Sequence, residues 1–85
     1  MSDTPASDNA PFPLAMAGEG EHVKIFLLRG GKGLQSRLTD LGLNVGSELI
    51  VSQRQGGGLV VIRGESRFAL GAGMAQKIMV IRVQS

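Results

Sequence analysis

Short apolar runs separated by glycine-bearing turns, with one two-turn stretch whose leucines recur at helical spacing, predict a mainly β protein. The expected form is a small, highly twisted SH3-like β barrel of about five strands with one short helix between the first two. Three observations carry this reading. The apolar runs are strand-length and rich in Val and Ile. The 13 glycines of the 85-residue chain gather between those runs. The one helical stretch is too short to stand alone in water and must lie on the strands.

Residues 1–11 hold Ser, Asp, Asn, Thr and two prolines with almost nothing apolar, and read as a disordered N-terminal tail preceding a barrel domain over residues 12–85. Phe12, Leu14 and Met16 follow as an apolar anchor. "HVKIFLL" (22–28) is the first strand, with Val23, Ile25 and Leu27 on its inner face and Phe26 and Leu28 on the other. "RGGKG" (29–33) is a loop, because three glycines in five residues defeat either regular structure. In "LQSRLTDL" (34–41), Leu34, Leu38 and Leu41 fall at i, i+4 and i+7, the apolar stripe of a short helix.

Two glycines then turn that helix into a strand. Gly42 suits the left-handed C′ position that ends a helix, with Leu43 as C″ meeting Leu38 at C3 in a Schellman ending. Gly46 suits the third position of a type II turn over residues 44–47. "ELIVSQ" follows as a strand with Leu49 and Val51 inward. Leu59 to Arg63 and Arg67 to Leu70 form a hairpin about Gly64, and "IMVIRV" closes the fold. "GAGMAQK" is too glycine-rich for a good helix, although it accommodates one turn around Met74. Val23, Ile25, Leu27, Leu49, Val51, Ile78 and Val80 are expected to fill the barrel. Alternation sends Phe26, Leu28, Ile50, Met79, Ile81 and Val83 to a second apolar face, which the helix covers or which docks a partner or a second copy in weak self-association.

Composition narrows the function. A chain this small buries only about 60% of its unfolded surface, which favours a binding module over a walled active site. The lack of Cys excludes disulfides and thiolate metal sites. No apolar run approaches the roughly 20 residues of a membrane span, and the N-terminus has no signal character, so no membrane insertion and a cytoplasmic location are expected. From Phe12 onward nine Lys or Arg stand against five acids, a mildly basic balance that suits an acidic partner surface.

The run "RLTDLGLNVGSELIV" (37–51), then "GGGLVVIRGESRFAL" (56–70) and "MAQKIMVIRV" (74–83), resembles the FeoA family, small cytoplasmic proteins that accompany the bacterial ferrous iron transporter. The match extends over about Leu14 to Val83. Val45 stands where the family often has Pro before the turn glycine. The resemblance implies an SH3-like barrel without catalysis or cofactor that binds the cytoplasmic, GTPase-bearing part of the transporter. Related SH3-like domains occur in iron-dependent repressors, so a module of such a regulator is the alternative nearest in fold; with no DNA-reading helix–turn–helix in these residues, a complete repressor is not expected.

Other constellations read as structural. "GGKGLQS" (30–36) lacks the Walker spacing, since Gly33 takes the hydroxyl position, and no catalytic residue is assigned. His22, the single histidine, has only Glu19 and Glu21 near it in sequence and reads as a solvated side chain, so no metal site is assigned. Nucleic-acid binding is the competing class for a small basic barrel, but three Phe without Tyr or Trp make a poor stacking platform, and no nucleic-acid partner is expected. Phe26 and Phe68 read as core. With the helix leucines inward, Gln35, Ser36, Arg37, Thr39 and Asp40 spread over its outer side. Arg29, Lys32 and Arg37 are the expected partner contacts.

Overall fold

The computed structural model describes residues 10–83. Its elements are β1 (Phe12–Pro13), a 3-10 turn (Leu14–Met16), β2 (His22–Leu28), α1 (Lys32–Asp40), β3 (Glu48–Gln55), β4 (Gly58–Arg63), β5 (Ser66–Leu70), α2 (Ala72–Lys77) and β6 (Ile78–Arg82). The six strands join in one antiparallel sheet in the order β1-β6-β2-β3-β4-β5. The mainly β, SH3-like class holds, with one difference: β1 and β5 are the two ends of the sheet and do not pair with each other, so the barrel is open. Residues 1–9 of the tail expected to be disordered lie outside the described residues.

Alternation builds the core. Val23 and Ile25 of β2, Leu49 and Val51 of β3, Leu59 and Val61 of β4, and Ile78 and Val80 of β6 are all buried. Leu70 of β5 joins the same cluster, as do Leu14, Leu38, Leu43 and Ala75 from the turns and helices. Each fully buried aliphatic side chain stabilises the fold by about 1.5–3 kcal/mol over its exposed state. No polar or charged side chain among the described residues is buried.

Several expectations give way to tertiary context. A second helix, α2, forms over the glycine-rich "AGMAQK" because Ala75 is buried and Met74 packs on the core beside the 3-10 turn. That burial outweighs the roughly 1 kcal/mol helix penalty of Gly73. β1 adds a sixth strand that sequence alternation cannot reveal in two residues. The apolar anchor holds through Leu14 and Phe12, but Met16 is exposed. Of the helix leucines, Leu38 is buried and Leu34 half-buried, whereas Leu41 stands 38% exposed at the helix end. Phe68 packs against the core as expected, but Phe26 does not.

The largest departure is in β2. Ile25 pairs with Val80 and Leu27 with Met79, so Phe26 is an extra residue with no partner on β6. This β-bulge resets the alternation. Leu28, expected outside, packs on the core, while Leu27, expected inside, is 49% exposed and Phe26 is 51% exposed. On the second apolar face, Met79, Ile81 and Val83 are half-buried and Ile50 remains exposed.

Candidate partner-docking site

The helix-to-strand passage is the rigid part of the site. Gly42 has φ +82°, a conformation that crowds any Cβ. The Leu43 N–H donates to the Leu38 carbonyl (2.8 Å) and the Gly42 N–H to the Thr39 carbonyl (2.9 Å), which is the Schellman pattern. Leu38 and Leu43 are both buried, so the ending is pinned from inside. The chain then turns over Asn44 to Ser47, closed by Ser47 N–H to the Asn44 carbonyl (2.9 Å), with Gly46 at φ +96°. Both glycines occupy the conformations expected of them.

The same turn is bonded to its neighbours on two sides. The Gly46 N–H donates to the Ile25 carbonyl (2.8 Å), and the Ile25 N–H donates to the Ser47 carbonyl (2.9 Å). Thr39 Oγ1 donates to Asn44 Oδ1 (3.1 Å), tying the turn to α1, and the Asn44 N–H donates to Ser47 Oγ (3.0 Å). Between α1, the turn and β2 lies a groove of about 260 Å³ lined by Leu27, Leu28, Gln35, Thr39, Asn44 and Val45. Val45, at the corner of the turn, is 61% exposed. The groove was not legible beforehand: its apolar floor exists because the bulge at Phe26 turns Leu27 outward. The one sequence signal available was an apolar residue, Val45, inside a four-residue turn.

The expected contact residues Arg29, Lys32 and Arg37 are all exposed. Among the described residues, none of the three has a carboxylate partner; Arg82 Nε pairs with Glu21 Oε2 (2.6 Å), and His22 Nε2 lies 3.0 Å from Glu48 Oε1. They do not share one face. At 100° per residue, Lys32 lies within about 60° of Gln35 and Thr39, on the groove side of α1, whereas Arg37 is rotated by about 140° from Lys32 toward the other flank. Arg29 follows Leu28 directly, and its N–H donates to the Lys77 carbonyl (2.7 Å), which brings the start of α1 beside the end of α2. Lys32, Ser36 and Asp40 line an adjoining outer depression that shares Gln35 and Thr39 with the groove.

Elsewhere the polar groups serve the scaffold. Arg54 Nη1 donates to the carbonyls of Ala15 (2.7 Å) and Ala17 (2.6 Å), and the Arg54 N–H donates to Glu19 Oε2 (3.0 Å). Glu21 accepts from Arg82 and, through Oε1, from the Gly18 N–H (2.8 Å), and these two donors hold its carboxyl below the usual glutamate range. Arg82 also lies 4.6 Å over the Phe12 ring. His22 meets one carboxylate, and among the described residues no three His, Cys, Asp or Glu side chains stand together to hold a metal ion. Among the described residues no helix is long and apolar enough to cross a membrane.

Three comparisons place this geometry. The chain is 42% identical over 69 residues to the Methanocaldococcus jannaschii protein described as "Putative Fe(2+) transport protein A", covering 81% of this chain and 84% of that one. It superposes with a TM-score of 0.79 on the crystal structure of an iron uptake regulatory protein (FeoA), at 28% identity over 87% of this chain and 99% of the other. A manganese-dependent transcriptional repressor shares the fold at 19% identity with a TM-score of 0.80, over 88% of this chain but 43% of the repressor. The FeoA domain model matches residues 12–82, from the first strand to the last. This chain therefore belongs to the FeoA family.

Proposed function

We propose that this chain is a non-enzymatic accessory protein of ferrous iron uptake that works at the cytoplasmic face of the membrane by binding the cytoplasmic, GTPase-bearing part of the ferrous iron transporter. The observation that carries the reading is the FeoA match across the whole sheet together with 42% identity to a protein named for Fe(2+) transport. Iron is the transporter's cargo here, not a resident group of this chain.

The surface around α1 supports a docking role. Arg29 and Lys32 are exposed cations beside an apolar groove, and rim charges of this kind chiefly accelerate association and fix orientation. Arg37, on the other flank, extends the contact around the helix. Calorimetry of the purified chain with the transporter's cytoplasmic domain tests the proposal, repeated with Arg29→Glu, Lys32→Glu and Arg37→Glu. Each reversal is expected to weaken binding and to flatten its salt dependence without altering the melting temperature. Absence of binding by the unaltered chain at low salt refutes the reading. Salt-resistant submicromolar binding to single-stranded nucleic acid would favour the nucleic-acid class in its place.

A further inference from the structure

We infer that the groove between α1 and β2 seats an acidic, apolar segment of the partner protein, whose aliphatic side chains lie over Leu27, Leu28 and Val45 and whose carboxylates meet Arg29 and Lys32 at one end. The identity of the partner rests on the transporter-binding reading; the chemistry of the segment does not.

The shape of the groove comes first. At about 260 Å³ it falls below the roughly 300–1,000 Å³ of small-molecule clefts, a size suited to a few side chains of a docked chain. Its floor is built against the local rule: without the bulge at Phe26, Leu27 would continue the inward face of Val23 and Ile25. Bulges re-aim side chains, and this one exposes a large aliphatic group where regular pairing would bury it. The walls are hydrogen-bonded to one another before anything binds. Thr39 is bonded to Asn44, and Gly46 and Ser47 are bonded to Ile25, so little ordering remains to be done on association.

Charge selects the occupant. No charged residue lines the groove, whose polar lining is Gln35, Thr39 and Asn44. At the end where β2 runs into α1 stand Arg29, Lys32 and, through the backbone bond to Arg29, Lys77; none of the three has a carboxylate partner among the described residues. Of the acids nearest in sequence to the groove residues, Glu48 meets His22, and Asp40 stands at the opposite end of α1 from Lys32, in an adjoining depression that Lys32 also lines. An acidic segment is therefore drawn to this end and a basic one repelled.

Amide NMR of the full chain provides the test, with two probes: the transporter's purified cytoplasmic domain, and a short acetylated peptide of leucine and glutamate beside its lysine-for-glutamate counterpart. The expected result is amide shifts centred on Leu27, Leu28, Gln35, Thr39, Asn44 and Val45 with both the domain and the glutamate peptide, and none with the lysine peptide. Leu27→Ser and Val45→Asp, on separate elements so that misfolding of one leaves the other, should each lower affinity by about tenfold or more. Arg67→Glu, a charge reversal on the far strand β5, should leave it within about twofold. Shifts centred elsewhere, or a lysine peptide bound as tightly as the glutamate one, overturn the groove assignment while leaving transporter binding intact. If the domain does not bind at all, the transporter reading falls, and the glutamate peptide alone decides the groove.

Discussion

Two sides of this molecule use basic residues for opposite ends. On the side of the N-terminal segment, Arg54 grips the Ala15 and Ala17 carbonyls while Arg82 joins Glu21 and covers Phe12. Those cations hold residues 12–21 against the sheet. On the side of α1, Arg29 and Lys32 have no carboxylate partner among the described residues, and they stand at one end of a groove that exposes Leu27 and Val45. Net charge alone does not say which cations are available to a partner. Pairing does: a cation whose hydrogen bonds are already made is scaffold, and one left open beside apolar surface is available to a partner.

The sharpest way to break this contrast is a pair of leucines on the α1 side. Leu38 is 0% exposed and pins the helix, so Leu38→Ala should cost about 2–5 kcal/mol. Leu27, near the end of β2, has half its surface open, and Leu27→Ala should stay within about 1 kcal/mol. Urea melts of both variants measure the difference. Equal losses would mean that Leu27 belongs to the core and that the groove has no apolar floor to offer. A smaller effect is expected at the groove wall, where Gly42→Val forces a β-branched residue to φ +82° and should remove about 1–2 kcal/mol of stability. An unchanged melting temperature would show that the Schellman ending does not hold that wall.

These cases also show what the sequence made legible. The Schellman ending could be read in advance because it depends on residues adjacent in the chain: a glycine at C′ and apolar residues at C3 and C″. The strand alternation of β3, β4 and β6 was equally local. The groove was not, because it depends on one unpaired residue, Phe26, whose effect appears only when β2 is laid against β6. α2 was underread for a related reason: its helical state is decided by burial of Ala75 beside the 3-10 turn, not by its own glycine-rich composition. The candidate contacts Arg29, Lys32 and Arg37 could be identified as exposed charges. That Lys32 and Arg37 lie on different flanks follows from helical geometry applied to the actual helix start.

On the N-terminal side, the comparison is sharpened by Arg54→Ala, which leaves the Ala15 and Ala17 carbonyls to solvent. A loss of about 1 kcal/mol is expected, since a net hydrogen bond contributes little more than that at a partly exposed site. Hydrogen exchange locates the effect. Protection should fall in residues 12–21 and remain unchanged in α1. Equal loosening of both sides would show that the clasp and the groove are one cooperative unit.

The smallest expected effect comes from Glu21, and its sign follows from its partners. The Arg82 guanidinium and the Gly18 N–H favour the charged carboxylate, so the folded state holds a proton on Glu21 less readily than the unfolded chain, whose ordinary value is 4.5. The unfolded state therefore binds more protons as pH falls, and folding stability must fall with it. The contribution is fully present above the ordinary value and is lost as pH drops from there through the lower folded value. Solvent screening at this partly exposed pair keeps it small. Urea midpoints followed from pH 7 down to pH 3 should decline for the unaltered chain. Glu21→Gln, which keeps an acceptor for the Gly18 N–H but cannot titrate, should reduce that slope, whereas Lys32→Glu on the groove side should not remove it. An unaltered slope in Glu21→Gln would mean that the carboxylate does not lock the N-terminal segment, and the contrast between the two sides would then rest on Arg54 alone.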